Sequence, residues 1–252
     1  MTEDANGHPS YDESSIRSYY DEFAARYERK RRPADPRGYH ALIDDLEIDF
    51  TLRYARGRDL LEVGCGTGLI LQRLVDHCRS AQGVDLSPGM LQLARQRGLE
   101  VCEGSATSLP YDDARFDVVC SFKVLAHVPQ LKEALEEMLR VVRPGGFVLA
   151  EVYNPRSLRA LAKTYGPAQP ISDTTKENAV YTRFDSPENV AQLLPPYARI
   201  VDSRGVRIVT PFARAMQVPV LRGALRQAEW ALCDSPLSVF GGFWIAAIQK
   251  DA

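Results

Sequence analysis

Three glycines at alternate positions follow a short apolar run near residue 60. Residues 60–68 read LLEVGCGTG, with Gly64, Gly66 and Gly68 in the second half. Glycine loses more backbone freedom on ordering than other residues, so this stretch is a poor helix and a poor strand. At the carboxyl end of a parallel strand, however, such a turn lets backbone approach a ligand, and the next helix points free N–H groups at an anionic group. The stretch therefore predicts a ligand-binding turn.

A later acid and the glycine spacing favour a nucleoside over a dinucleotide as the ligand. Dinucleotide-binding turns usually read GxGxxG, whereas this one reads GxGxG. Asp85 ends the next predicted strand, 17 positions after Gly68, where a carboxylate can accept hydrogen bonds from both ribose hydroxyls. A nucleoside without a bridging diphosphate fits better than NAD. An ordinary acid at a helix start is the alternative interpretation of Asp85.

Other residues with chemical potential give less specific patterns. His127, in KVLAHVP, follows the fourth predicted strand, so it is the candidate general base, with a structural role in the same loop as the alternative. Six basic residues between 26 and 37 suit a solvated helix end, since cations are favourable there, or recognition of an anionic substrate or surface. No metal-ligand or serine–histidine–acid spacing is present in the sequence, so no metal is expected.

The elements that must position these residues alternate along the chain. Apolar runs predict strands at 59–63, 81–85, 99–102, 116–122, 147–153, 198–209 and 241–249, and helical patterns lie at 13–27, 38–56, 69–78, 87–98 and 131–142. Ser87 is the predicted cap of the helix at 87–98 and Pro88 its first position, and RPGG predicts a turn before the strand at 147–153. Strand and helix in this rhythm predict a parallel sheet with helices on both faces. Between the last two strands, residues 211–233 form an apolar helical stretch that either lines an acceptor pocket or packs on the sheet. Its candidate lining residues are Phe212, Met216, Leu221, Leu225 and Trp230.

Composition narrows the class of protein. The 252 residues are 45% hydrophobic and 25% charged with a formal net charge of −2, which suits one large domain and no overall basic field for nucleic acid. Five cysteines occur without a CxxC pair, so we expect a reducing, cytoplasmic compartment. The polar residues 1–12 are expected to be disordered and not a signal peptide. No apolar run approaches the roughly 18 residues that span a bilayer.

Four ordered motifs resemble those of the class I S-adenosylmethionine-dependent methyltransferases, especially the set with quinone-biosynthesis and other small-molecule methyltransferases. They are LLEVGCGTG, GVDLSPGML, EGSATSLPYDDARFDVVCS and LRVVRPGGFVLAE. The resemblance implies an α/β, Rossmann-like, doubly wound seven-stranded sheet with its last strand antiparallel, helices on both faces and a helical lid. It implies one domain over 13–252, with lid helices at 13–50, a cofactor-binding core at 55–153, and substrate-cap segments at 154–185 and 211–238.

The same resemblance implies roles for individual residues around S-adenosylmethionine, whose product is S-adenosylhomocysteine. Gly64, Gly66 and Gly68 would line the methionine part, and Glu62 would support their turn. Asp85 would bind the ribose. The remaining implied contacts are Leu86 and Met90 flanking the adenine, Ser105 and Ala106 at the adenine edge, and Phe122 and Lys123 at the methionine end. The stretch YYDEFAARYE is similar to the family's lid segment, in which Tyr20 and Tyr27 would close over the cofactor, and Tyr20 joins His127 as a catalytic candidate.

The function that follows is methyl transfer by in-line displacement to a small, partly apolar acceptor, on oxygen, nitrogen or carbon. Alternatives are a non-catalytic S-adenosylmethionine-binding regulatory protein and an RNA or protein methyltransferase, while a dehydrogenase is disfavoured by the glycine spacing. We expect no nucleic-acid partner, no membrane span, and either a monomer or a homodimer.

Overall fold

A seven-stranded mixed sheet forms the centre of the molecule. The computed structural model describes residues 17–21, 23, 24, 27, 31, 35–157, 160 and 181–252. The strands are β1 (Asp59–Val63), β2 (Ser80–Asp85), β3 (Glu100–Glu103), β4 (Phe116–Ser121), β5 (Val142–Tyr153), β6 (Ala198–Val206) and β7 (Phe243–Lys250). Their order in the sheet is β3-β2-β1-β4-β5-β7-β6.

Helices connect these strands. The described α-helices are α1 (Tyr39–Ala55), α2 (Leu71–Leu74), α3 (Pro88–Gln96), α4 (Leu131–Val141), α5 (Pro187–Leu193) and α6 (Pro219–Leu232). Short 3-10 turns occur at Val75–His77, Leu125–His127, Ala213–Gln217 and Pro236–Phe240. Residues 17–21, 23, 24, 27 and 31 are also helical. Among the described residues, no helix has both the length and the apolarity needed to cross a bilayer.

The direction of the strands confirms the predicted topology. Strands β1 to β5 pair in parallel, while β7 pairs antiparallel with both β5 and β6. The carboxyl ends of β1 to β6 therefore share one edge with the start of β7, where Phe243 pairs with Tyr153 and Val206. In open α/β sheets this is the edge that binds ligands.

Two apolar layers hold the helices on opposite faces of the sheet. One buried cluster joins α1, α2 and α3 to the sheet, and the other joins α4 and α5 to the opposite face. Alternate residues of β7 divide between the layers: Ile245 belongs to the first cluster, and Trp244 and Ala246 belong to the second. The helix stripe predicted at 38–56 is confirmed, because Leu46 and Phe50 are fully buried.

Some boundaries differ from the sequence prediction. The helix expected at 69–78 is only one α-helical turn followed by a 3-10 turn. The RPGG segment was predicted as a turn before the fifth strand, but it lies within β5, because Val142 already pairs with Phe116 and the ladder resumes at Val118 after a register shift. Gly145, with φ of 75°, takes up that irregularity. Residues 1–16 and most of 154–185, including the predicted disordered terminus and first cap segment, lie outside the described residues.

Candidate functional site

The glycine-rich turn leaves β1 at the carboxyl edge in a backbone conformation that favours glycine. Gly64, Gly66 and Gly68 have φ values of 74°, 54° and 79°. A Cβ on Gly64 would collide with Val124, and one on Gly68 would collide with Leu99. A Cβ on Gly66 would meet no atom within 4 Å. Packing therefore excludes side chains at the outer glycines, while Gly66 faces open space that can admit a ligand.

Asp85 lies beside this turn at the end of β2. Its Oδ2 accepts the Gly66 N–H at 2.8 Å and its Oδ1 accepts the Ser87 N–H at 2.9 Å. Burial raises the pKa of Asp85, and the N–H groups of Ser87 and Gly66 oppose that rise by stabilising the carboxylate. Each carboxylate oxygen has more than one lone pair, so this group can still accept hydroxyl hydrogen bonds.

Glu62, on β1, is 3% exposed beneath the turn. The Leu71 backbone N–H bonds to its carboxyl group, but the Oε2 atom is buried without a hydrogen-bond partner among the described residues. Burial is the main reason that the pKa of Glu62 is raised to about 8, and the ammonium of Lys123 opposes this. A buried carboxyl oxygen without a partner fits a site that receives a cationic group.

The predicted adenine contacts surround the start of α3 and the end of β3. Ser87 caps α3 as predicted, since its Oγ accepts the Met90 N–H at 3.1 Å. Met90 is buried and Leu86 is half-buried. Ser105 and Ala106 follow β3, and the Ser105 hydroxyl bonds to the Thr107 hydroxyl at 3.0 Å. Ser105 is thus engaged in its own turn, and its role at an adenine edge stays a prediction.

A buried ionic cluster follows β4. Phe122 is 4% exposed, and Lys123 has a φ of 62°, which is uncommon for a residue with a side chain. The Lys123 ammonium bonds to Glu47 Oε2 at 2.6 Å and to Asp44 Oδ1 at 3.2 Å. Arg31 bonds to the same Asp44 carboxylate at 2.6 and 2.7 Å. The cations hold the pKa of Asp44 below its usual value, while burial raises that of Glu47.

Arg31 corrects one interpretation of the sequence. The basic residues at 26–37 were interpreted as a solvated helix end or as a site for an anionic substrate or surface. The first is wrong for Arg31, because this residue is only 8% exposed and pairs with Asp44 on α1. Its guanidinium also lies 5.7 Å from the centre of the Tyr27 ring. Burial raises the pKa of Tyr27, consistent with its place beside this cluster.

The N-terminal helical residues cross the carboxyl edge of the sheet. Arg17 pairs with Glu103 at the end of β3. Asp21 Oδ1 accepts hydrogen bonds from Ser87 Oγ at 2.5 Å and from the Gly89 N–H at 2.8 Å. Burial raises the pKa of the Tyr20 phenol, with smaller contributions from Tyr153 and Asp85. Tyr20 therefore lies near the ends of both β5 and β2.

His127 lies in the 3-10 turn after β4, beside Tyr153 at the end of β5. Its Nδ1 is 2.8 Å from the Tyr181 carbonyl oxygen, and its Nε2 is 3.5 Å from the Tyr153 hydroxyl. Because a carbonyl oxygen only accepts, Nδ1 carries a proton in this contact and neutral His127 has its lone pair on Nε2. The ring stacks edge-to-face on Tyr153 at 5.6 Å. This tautomer is the one a general base near the edge requires.

Some residues of the apolar stretch at 211–233 pack on the core, as one interpretation of the sequence expected, and others do not. Met216 is buried in the first core cluster, and Leu225 packs against that cluster. Phe212, Leu221 and Trp230 are exposed instead. Neither a fully packed helix nor a uniform pocket lining describes this segment.

Several residues at the edge were missed by sequence reasoning. Asp21, Asp44 and Glu47 are acids on helices and resemble ordinary surface positions in the sequence, whereas Tyr153 looks like the last residue of a strand. Only tertiary packing brings them to the edge. Glu47 carried one signal, because an acid four residues from both Ile43 and Thr51 shares their buried helix face. Among the described residues, no group of three or more His, Cys, Asp or Glu is placed to hold a metal ion.

Comparison with known proteins shows which proteins this chain is similar to. Residues 61–150 match the family model described as "Methyltransferase domain". A ubiquinone biosynthesis O-methyltransferase of Alkalilimnicola ehrlichii is 31% identical over 159 residues, which cover 56% of this chain and 63% of that relative. A demethylmenaquinone methyltransferase of Renibacterium salmoninarum is 36% identical over 146 residues, covering 53% and 58%. The alignments span less than two thirds of either relative.

A solved structure supports the fold over a longer range. The S-adenosylmethionine-dependent methyltransferase of Thermotoga maritima superposes with a TM-score of 0.64, covering 92% of this chain and 98% of the other at 20% identity. By fold, the chain therefore resembles the Rossmann-like methyltransferases. The matched domain and the sequence relatives go one step further: over residues 61–150 the chain is similar to class I S-adenosylmethionine-dependent methyltransferases of the quinone-biosynthesis-like set.

The site fits S-adenosylmethionine, the cofactor of the methyltransferases that the chain resembles. Gly66 faces open space, Asp85 offers a carboxylate beside it, and Glu62 holds a buried oxygen without a partner. The Asp85 carboxylate suits the hydroxyls of the uncharged ribose, and the Glu62 oxygen suits the cationic end of that cofactor.

Proposed function

We propose that this chain transfers a methyl group from S-adenosylmethionine to a small-molecule acceptor. The observation that carries the proposal is the open space at Gly66, bounded by the Asp85 carboxylate and approached by Tyr20. When bound, the cofactor supplies a methyl group activated by a positively charged sulfur. The remaining work is alignment and exclusion of water, and alignment alone can lower a barrier by roughly 7–11 kcal/mol.

Each predicted site residue has a proposed task. Asp85 holds the ribose hydroxyls, and Leu86, Met90, Ser105 and Ala106 form the adenine side. Gly64, Gly66, Gly68, Glu62, Phe122 and Lys123 form the methionine side. Tyr20 and Tyr27 cover the site, and the N-terminal helical residues act as its lid. The half-buried positions of Leu86, Ser105 and Ala106 support contact with a ligand at this edge.

His127 is the proposed general base for an acceptor that must lose a proton. Its Nδ1–H is fixed by the Tyr181 carbonyl, so Nε2 can accept a proton near Tyr153. For His127→Gln we expect kcat to fall by about 10²–10⁴-fold while the Kd for S-adenosylmethionine changes little. Unchanged kcat with every acceptor that turns over would remove the base from the proposal and leave His127 a structural role.

The acceptor stays a proposal as well. The relatives are named for ubiquinone biosynthesis and for demethylmenaquinone methylation, so we propose a partly apolar acceptor such as a phenol or quinone. A cytoplasmic location is proposed on the ground that all five cysteines are unpaired, as a reducing compartment requires.

Release of S-adenosylhomocysteine across a panel of phenols, quinones, amines, lipids and transfer RNA tests this function. We expect turnover with at least one small molecule, and loss of that turnover in Asp85→Ala. The matched control is Asp76→Ala, an exposed acid on the turn after α2. Cofactor binding without turnover on any acceptor would favour a regulatory protein, and turnover on RNA alone would contradict the small-molecule assignment.

A further inference from the structure

Four large apolar side chains are exposed within ten residues of the chain. Phe212 is 58% exposed, Val218 53%, Val220 87% and Leu221 43%; we call these four residues the apolar tip. They occupy the approach to α6 and its first turn. Single exposed apolar residues are ordinary, but a concentrated group marks a surface that contacts something else.

The chain segment that carries the apolar tip is basic. Residues 207–228 contain four arginines and no acid, in a chain whose net charge is −2. Arg37, Arg222 and Arg226 line a cavity of about 460 Å³ together with Pro219, at the start of the same helix. Arg226 pairs with Asp45 at 2.9 Å. Within the described part of the chain, the guanidinium groups of Arg37 and Arg222 make no ion pair, so they remain available to an external anion.

The fold places this surface beside the candidate site. Segment 207–242 leaves β6 and enters β7 at the carboxyl edge of the sheet, where Val206 pairs with Phe243. Its inner side is anchored, because Ala215 and Met216 are buried and Glu229 accepts the N–H groups of Ile208 and Thr210. The apolar tip thus projects from a fixed support and not from a loose loop.

We propose that the apolar tip and its arginines dock this protein on the surface of a bilayer that contains anionic lipid. In such docking, apolar side chains enter the boundary between headgroups and acyl chains while arginines bind lipid phosphates. The guanidinium group suits phosphate because its donors form a planar fork. This inference goes beyond methyl transfer and does not depend on which acceptor is used.

A second copy of the chain is the less favoured occupant. In a two-fold dimer the same patch meets itself, so Arg222 and Arg37 of one copy would face arginines of the other. Residues 207–228 carry no acid to balance them, and the exposed acid further along the segment, Asp234, already pairs with Arg53 and Arg204. An anionic lipid surface supplies both the apolar layer and the negative charge that this patch lacks.

Vesicle co-sedimentation of the full chain tests the proposal. We expect binding to vesicles of phosphatidylcholine mixed with phosphatidylglycerol, weak binding to phosphatidylcholine alone, and a loss of binding at high salt. The double variant Val220→Glu, Leu221→Glu should lose binding, and Arg222→Ala should weaken it several-fold. Val201→Glu is the matched control, since Val201 is 44% exposed on β6 away from the tip. Circular dichroism and S-adenosylmethionine binding verify that each variant is folded.

Four outcomes would overturn the proposal. The first is no sedimentation with either vesicle, and the second is equal sedimentation of the wild type and the double variant. The third is a wild-type dimer, seen by light scattering, that the double variant dissociates while neither protein binds vesicles, which would assign the tip to a second copy. Binding to an acidic carrier protein without vesicle binding would likewise assign the surface to a protein partner.

Discussion

Gly66 occupies a position where backbone strain and ligand access can be separated experimentally. Its φ is 54° and a Cβ there would meet open space. Gly57 is a matched control, because its φ is 67° and its Cβ would also meet no atom within 4 Å, but it lies between α1 and β1 at the opposite edge. An alanine substitution therefore has a similar conformational cost at either glycine.

We expect Gly66→Ala and Gly57→Ala to lose similar free energies of unfolding, about 1–2 kcal/mol each, because alanine is strained at positive φ. Only Gly66→Ala should also weaken S-adenosylmethionine binding, since its methyl group enters the proposed cofactor space. Thermal melts and calorimetric titration measure the two effects. Equal cofactor affinity in both variants would show that the ligand does not approach Gly66.

The raised pKa of Glu62 predicts that cofactor binding releases a proton. Burial raises its pKa to about 8, so the free protein holds a proton there at pH 7. A cation placed beside the carboxyl group lowers its pKa, so binding releases that proton and affinity rises with pH up to about 8. Titrations at pH 7 in buffers of different ionisation enthalpy should show fewer protons released by Glu62→Gln than by the wild type. The same proton count in both proteins would refute the linkage.

The raised pKa of Glu62 also makes the stability of the folded chain depend on pH. Between about pH 4.5 and pH 8 the folded chain holds the Glu62 proton while the unfolded chain has lost it, so this residue's contribution to stability falls as pH rises. Denaturant unfolding of wild type and Glu62→Gln should therefore diverge in favour of the variant toward pH 8. A difference that does not change with pH would contradict the raised pKa.

At the scale of elements, Asp21 fastens the N-terminal helical residues to α3. Its carboxylate accepts the Gly89 N–H and the Ser87 hydroxyl at the start of that helix, where an anion is favourable. A contact of this kind contributes about 0.5–2 kcal/mol. For Asp21→Ala we expect faster S-adenosylmethionine dissociation by several-fold and faster hydrogen exchange in residues 17–31.

Arg17 supplies the comparison for that experiment. Its ion pair with Glu103 is solvent-exposed on both sides, and exposed pairs contribute little. Arg17→Ala should therefore change dissociation far less than Asp21→Ala. Equal effects, or none in Asp21→Ala, would mean that this contact does not retain the cofactor.

The elements also show how far the sequence could predict this site. The cap Ser87, Pro88 at the first helical position and the glycine turn are local signals, and the structure has them where predicted. The Arg31–Asp44–Lys123 cluster was not predictable, because its members come from three distant segments and each alone resembles a surface charge. Likewise, the extended β5 depends on pairing with β4 across a bulge, which no local pattern specifies.

At the scale of the whole molecule, the candidate site residues lie at one edge of the sheet. Asp85, Lys123 and Tyr153 end or follow β2, β4 and β5, and the exposed apolar tip rises beside the end of β6. The parallel direction of the strands brings Asp85 and Tyr153, which are 68 positions apart in the sequence, to this edge. This arrangement lets a cofactor and an acceptor approach the same edge of the sheet. Residues at the opposite edge then contribute to stability only.

Calorimetric titration of S-adenosylmethionine into the wild type, Asp85→Ala and Asp76→Ala tests the central claim most directly. Losing charge-assisted hydrogen bonds to the ribose costs about 1.5–3 kcal/mol, which is a loss of about tenfold to a hundredfold in affinity. We predict that loss in Asp85→Ala, unchanged affinity in Asp76→Ala, and no preference for NADH in any of the three. Wild-type affinity in a folded Asp85→Ala, or tighter binding of NADH, would contradict the account.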